Sequence, residues 1–131
     1  IMNYEEGSYY SGKGDVKAIM DSLPGRVVVV TKDVEGAYAA DKTGKSSKNA
    51  KYLHVSAVPV KIKDTTGAGD AFSGAFVHTY YRARSINDAL KTAAAAAALK
   101  LEHKGAHFSL SKAALAGFMK RNSPKLIVRR F

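Results

Sequence analysis

The sequence contains no cysteine. That excludes a disulfide framework and a thiolate metal site. No apolar run approaches the roughly 20 residues that a membrane-spanning helix needs. The first residues, Ile1-Met2-Asn3-Tyr4-Glu5-Glu6, lack the charged-then-apolar pattern of a secretory leader. A cytoplasmic location and no membrane partner are therefore expected. Acidic residues are scarce: 11 Asp and Glu stand against 21 Lys and Arg, a net charge of +10. Such a surplus can mark a nucleic-acid surface. Here the lysines are scattered, with no arginine–aromatic interleaving, and the one tight basic pair is Arg129-Arg130. Solvated surface charge, helped by an anionic small ligand, accounts for the balance, and no nucleic-acid partner is expected. Internal repeats and low-complexity linkers are also missing. The 131 residues suffice for one modest domain with a core.

What is present centres on Asp64-Thr65-Thr66-Gly67-Ala68-Gly69-Asp70-Ala71-Phe72-Ser73-Gly74-Ala75-Phe76. Apolar residues recur at Ala71, Phe72, Ala75, Phe76 and Tyr80, which is helical spacing. The glycine turn therefore opens a helix, expected to run to about Arg82. The first amides of a helix have no internal partner and stand at the positive end of its dipole. Glycine lets a phosphate approach such amides closely. Asp70 falls in the first turn, so a carboxylate stands beside the anion pocket. Accepting a proton from an attacking hydroxyl is work for such a group in phosphoryl transfer.

Upstream, Asn3 caps a helix with Glu6 in its first turn. Gly7 to Lys13 nearly spells a phosphate-binding P-loop, but Gly14 stands where Ser or Thr must hold the metal. Gly44-Lys45-Ser46 fails likewise, because Ala39 fills the first glycine position. A short amphipathic helix follows Asp15, stopped by Pro24-Gly25. Arg26-Val27-Val28-Val29-Val30-Thr31 is a continuous β-branched run, the pattern of a parallel strand buried on both faces. Short strands are expected over residues 37–40 and 52–58. Ser85 caps the next helix, in which residues 93–98 are six alanines. A glycine stop at Gly105 ends it. His103 and His107 stand four apart, but Gly105 breaks the helix between them and no third ligand follows, so no metal site is expected. A last amphipathic helix runs over residues 110–121, and Leu126-Ile127-Val128 reads as a terminal strand or tail.

The nine residues Asp-Thr-Thr-Gly-Ala-Gly-Asp-Ala-Phe, 64–72, resemble the C-terminal signature of the ribokinase-like (PfkB) sugar and nucleoside kinases. The resemblance implies that Gly67, Ala68 and Gly69 form an anion hole for the transferred phosphate and that Asp70 is the base. Asn3 and Glu6 match the spacing of an Asn-x-x-Glu motif that holds Mg²⁺ near the phosphates, largely through water. Thr31 and Gly36 match a Thr-x-Gly-x-x-Gly turn facing the nucleotide, with Asp33 in place of the middle glycine. Asp takes the left-handed backbone less easily than glycine and brings negative charge toward phosphates. Thr66 and Gly69 also adjoin the nucleotide. Ala94 and Ala98 suit a helix packed tightly under the sheet, and the resemblance implies that the same helix borders the adenine; both can hold. Asp64 either caps the turn or binds K⁺ together with Thr66, Gly105 and Ser109.

The expected fold is α/β, a layered α/β/α ribokinase-like arrangement with a mostly parallel sheet. Residues 1–131 are expected to be one partial domain, the ATP-binding C-terminal half of such a kinase, without the sugar-binding half and its lid. The expected activity is transfer of the ATP γ-phosphate to a hydroxymethyl group of a small sugar. A nucleoside acceptor and a non-catalytic nucleotide-binding fragment are the alternatives. Expected cofactors are Mg²⁺ with ATP, and K⁺. Expected partners are ATP, the sugar or nucleoside, and a second copy of the chain in a homodimer.

Overall fold

Caps and apolar runs set the elements. The computed structural model describes residues 1–44, 49–105 and 108–131. Lys45 and Ser46 of the second P-loop near-match, together with Ala106 and His107, lie outside the described residues. Asn3 ends a two-residue strand, β1 (Met2–Asn3), and its side chain starts α1 (Tyr4–Ser11). Gly12 stops α1 at φ 67°, a left-handed position that suits glycine. Asp15 caps α2 (Val16–Ser22). The β-branched run becomes β2 (Val27–Lys32). A 3₁₀ turn over Asp33–Glu35 leads into β3 (Gly36–Asp41), and β4 (Lys51–Val55) follows. Then come α3 (Ala68–Ala83), α4 (Ile86–Leu101), α5 (Lys112–Arg121) and β5 (Val128–Arg130).

The five strands form one sheet in sequence order. The α/β class holds, but the expected mostly parallel sheet does not. Only β1 and β2 pair in parallel; β2 with β3, β3 with β4 and β4 with β5 are antiparallel. Chain length explains this. A parallel return needs a crossover of a dozen or more residues. The three-residue turn between β2 and β3 allows only an antiparallel return. The β-branched run reports burial on both faces instead of strand direction. Val29 packs toward α3 and α4, while Val28 and Val30 pack toward α2. Each is at least 95% buried, contributing about 1.5–3 kcal/mol.

Helices cover both faces, so the layering is α/β/α. One core joins β2–β4 to Phe72 and Phe76 of α3, the alanines of α4 and Phe118 of α5. A smaller core joins Ile19, Met20 and Leu23 to Val28, Val30 and Ala40. The small side chains of α4 let α3 lie close against it. The helix ends at Leu101, before the expected glycine stop, because the His103 N–H bonds the Lys100 carbonyl and tightens the last turn. Gly105 follows at φ 84°. Strand pairing sets two of the functional candidates side by side. Asn3 is opposite Thr31, Ala37 is opposite Val55, and the chain leaving Val55 leads to α3.

Candidate functional site at the open end of helix α3

Four of the five α-helices begin with a side-chain cap. Asn3, Asp15, Ser85 and Ser111 each accept an N–H three residues on. Helix α3 begins with Gly67, at φ 80° and ψ 3°, with no side-chain cap. The Ala68 N–H reaches the Thr65 carbonyl at 3.3 Å, and the Ala71 N–H bonds the Gly67 carbonyl at 2.9 Å. Between them, the N–H groups of Gly69 and Asp70 have no partner among the described residues. Gly69 is exposed, and a Cβ added there would meet nothing within 4 Å. The mouth of the helix is therefore open, with two free donors at the positive end of the dipole. Asp70 is exposed in the same turn. This arrangement can bind an anion and offers a carboxylate at its rim.

Asp64 holds the turn in place. Its Oδ1 accepts from the Thr66 N–H at 2.9 Å and its Oδ2 from the Gly105 N–H at 2.8 Å. The N–H groups of Lys63 and Asp64 both bond the Leu101 carbonyl, at 2.7 and 3.4 Å. The two backbone donors hold the Asp64 carboxyl down at about 2. Asp64, Thr66 and Gly105 thus meet at one corner, as the sequence suggested. Ser109 is exposed and makes no hydrogen bond to them among the described residues.

Asn3 and Glu6 form a reciprocal capping box. Asn3 Oδ1 accepts from the Glu6 N–H at 2.8 Å, and Glu6 Oε2 accepts from the Asn3 N–H at 3.0 Å. Asn3 pairs with Thr31 across the strands, and the Lys32 ammonium lies 4.7 Å from the Tyr4 ring centroid. The two motifs are therefore neighbours. Glu35 anchors the turn at residues 31–36. It pairs with Lys32 at 2.9 Å and accepts from the Tyr38 hydroxyl at 3.0 Å, and its carbonyl meets His54 Nε2 at 2.8 Å. Those contacts, with Lys32 foremost, lower the Glu35 pKa. Asp33 sits at φ 37°, so it occupies a left-handed position that glycine would fill without strain. Gly36 is needed for packing: an added Cβ would collide with the Val55 carbonyl and lie 2.6 Å from the Ala57 nitrogen.

Ala94 and Ala98 lie in the main core at 7% and 3% exposure, where tight packing accounts for them. No grouping of three or more His, Asp or Glu fit for a metal occurs among the described residues. Sequence reasoning missed Lys100, a lysine 99% buried. Its signal was helical spacing: it follows the buried Ala93 and Ala96 by seven and four residues.

Comparison with known proteins agrees with this geometry. The profile of the pfkB family carbohydrate kinases matches residues 1–113. Ribokinase of Schizosaccharomyces pombe is 36% identical over 85 residues, which are 65% of this chain and 25% of that protein. The chain thus spans about a quarter of the length of that curated relative. Among solved structures, Arabidopsis thaliana ribokinase complexed with ribose and ATP superposes with a TM-score of 0.76 at 27% identity, covering 90% of this chain and 39% of that one. Fructokinase from Vibrio cholerae O395, bound to fructose, ADP and calcium ion, gives 0.72 at 31% identity over 88% and 39%. By the extent of the family match, which takes in both the Asn3 motif and the α3 turn, the chain belongs to the pfkB family of carbohydrate kinases.

Proposed function

We propose that the chain is the nucleotide-binding and catalytic portion of an ATP-dependent kinase acting on a hydroxymethyl group of a small sugar. The observation that carries this reading is the open N-terminus of α3, with Asp70 at its rim and no side-chain cap in the way. The N–H groups of Gly69 and Asp70 hold the transferring phosphoryl group and offset its charge. The acceptor hydroxyl attacks the γ-phosphorus, the bond to the β–γ bridging oxygen breaks, and Asp70 takes the hydroxyl proton. Thr31 and Gly36 line the nucleotide side. Mg²⁺, when bound with ATP, neutralises phosphate charge. Glu6 suits it because Mg²⁺ takes few carboxylates and keeps several waters, and Asn3 stands beside it. The reading routes no step through K⁺.

A sugar acceptor is favoured because relatives above 30% identity include ribokinase, deoxyribokinase and 5-dehydro-2-deoxygluconokinase by sequence and fructokinase by fold. A non-catalytic, nucleotide-binding role is the second reading. Asp33 favours the loss of catalysis in it, since an exposed carboxylate at the turn weakens the hold on ATP phosphates that turnover needs.

The deciding experiment measures ADP release from Mg-ATP against pooled sugars and nucleosides, with the wild-type chain beside Asp70→Asn. Acceptor-dependent release that disappears in the variant is expected. Nucleotide binding without release would mean either the second reading or that these 131 residues do not supply the acceptor site.

A further inference from the structure

Among the described residues, Asp33 and Arg84 are the two that hold a positive φ without being glycine. Arg84 ends a helix, where the left-handed backbone is common. Asp33 instead opens the turn between β2 and β3, at φ 37°. Backbone strain of this kind persists only where the surroundings over-determine it. Within the turn little does so. No side chain caps its start, and one backbone bond, from the Gly36 N–H to the Asp33 carbonyl, closes its end. The Lys32–Glu35 pair lies in the open, where ion pairs hold weakly.

The remaining contacts come from β3 and β4. Tyr38 and His54 stand opposite one another across these strands. Their rings stack with centroids 4.4 Å apart, and Phe131 packs edge-on against Tyr38 at 5.3 Å. From this stack the Tyr38 hydroxyl donates to Glu35 Oε2 at 3.0 Å, and His54 Nε2 lies 2.8 Å from the Glu35 carbonyl. A carbonyl only accepts, so Nε2 carries the hydrogen and donates it. Glu35, two residues after Asp33, is thus held by its side chain and by its backbone from one strand pair. We propose that His54 is a positioning residue: with Tyr38 it clasps Glu35 and so keeps Asp33 in the left-handed backbone that a glycine would adopt freely. His54 should therefore matter while residue 33 is aspartate and cease to matter when it is glycine. The inference rests on the kinase reading only for its effect on nucleotide binding, since the turn can be followed without a ligand.

His54→Phe keeps a ring against Tyr38 and loses the donor. It is made in the wild-type chain and in Asp33→Gly, and hydrogen exchange of the Gly36 N–H is measured in the four proteins, with Mg-ADP affinity by calorimetry beside it. In the wild-type background His54→Phe should speed that exchange about fivefold and weaken Mg-ADP binding by a similar factor, the worth of one hydrogen bond. In the Asp33→Gly background it should change either by no more than about twofold. Equal acceleration of exchange in both backgrounds, or none in the wild-type background, would overturn the proposal. Exchange that follows the expected pattern while Mg-ADP affinity does not would keep the clasp and remove Thr31 and Gly36 from the nucleotide side. Failure of the wild-type chain to bind Mg-ADP would count against the kinase reading alone, and the exchange cycle would still decide the clasp. If His54→Phe does not fold, Tyr38→Phe, which removes only the hydroxyl, takes its place in the same cycle with the same expected and overturning results.

Discussion

Helices α1 and α3 each open at a motif that the sequence singles out, yet their first turns are opposites. The start of α1 is closed: Asn3 and Glu6 satisfy one another's backbone donors in a capping box. The start of α3 is open, with a left-handed glycine where a capping side chain would stand. A cap stabilises a helix by roughly 1 kcal/mol, and α3 forgoes it. Its stability comes instead from packing Phe72 and Phe76 into the main core. The donors of its first turn are thereby left without a partner among the described residues, which the proposed reading assigns to a ligand. The contrast shows how a fold separates holding a helix from using its end.

The largest effect should come from the open end. Asp70→Asn keeps the helix start but removes the proton acceptor. Turnover should fall by about 10²–10⁴-fold while nucleotide affinity changes little, as read by ADP release and calorimetry. An active variant would break the contrast by making the carboxylate a mere surface charge. Gly67→Ala puts a Cβ on a residue at φ 80°. It should cost about 1–2 kcal/mol in denaturant unfolding and weaken nucleotide binding as the turn shifts.

At the closed end, Asn3→Ala should cost about 1 kcal/mol, read as a lower Tm. If this loss left nucleotide binding intact, the Asn3 motif would be structural alone. Asp64 links the open turn to α4 and predicts a pH dependence. Its pKa is lowered to about 2 from an ordinary 3.8, so it stabilises the fold fully above about pH 4. That contribution is lost as pH falls from about 4 through 2, and Asp64→Asn should flatten this limb of the Tm profile. The smallest effect should be at the turn beside α1. Asp33→Gly relieves a left-handed aspartate at φ 37° and should stabilise by about 0.5 kcal/mol. It should also tighten nucleotide binding by removing a negative charge.

Local chemistry was legible in the sequence, and tertiary placement was less so. The α3 turn could be read because Gly67 answers a demand of its own backbone, a left-handed φ of 80°. The caps at Asn3 and Ser85 depend on residues three positions away, so they could be read too. Strand direction could not be read from residues 26–31. Their β-branched side chains answer only to burial on both faces, while the short turn at Asp33–Glu35 sets direction. The burial of Lys100 was hidden for a related reason. A lysine in a helix is ordinarily solvated, and only the turn after α4, through the His103 carbonyl, gives this one a polar partner inside. Ala94 and Ala98 stand in the core, as a run of six alanines in a helix leads one to expect.

The central claim is that the free N–H groups at the start of α3 bind the phosphate. ¹H–¹⁵N NMR of the chain titrated with Mg-ADP tests it directly. The account predicts that the largest amide shifts fall on residues 67–70, with the capped donors of α1 at Glu6 moving far less. Nucleotide binding that left residues 67–70 unmoved, or shifted the α1 cap most, would contradict it.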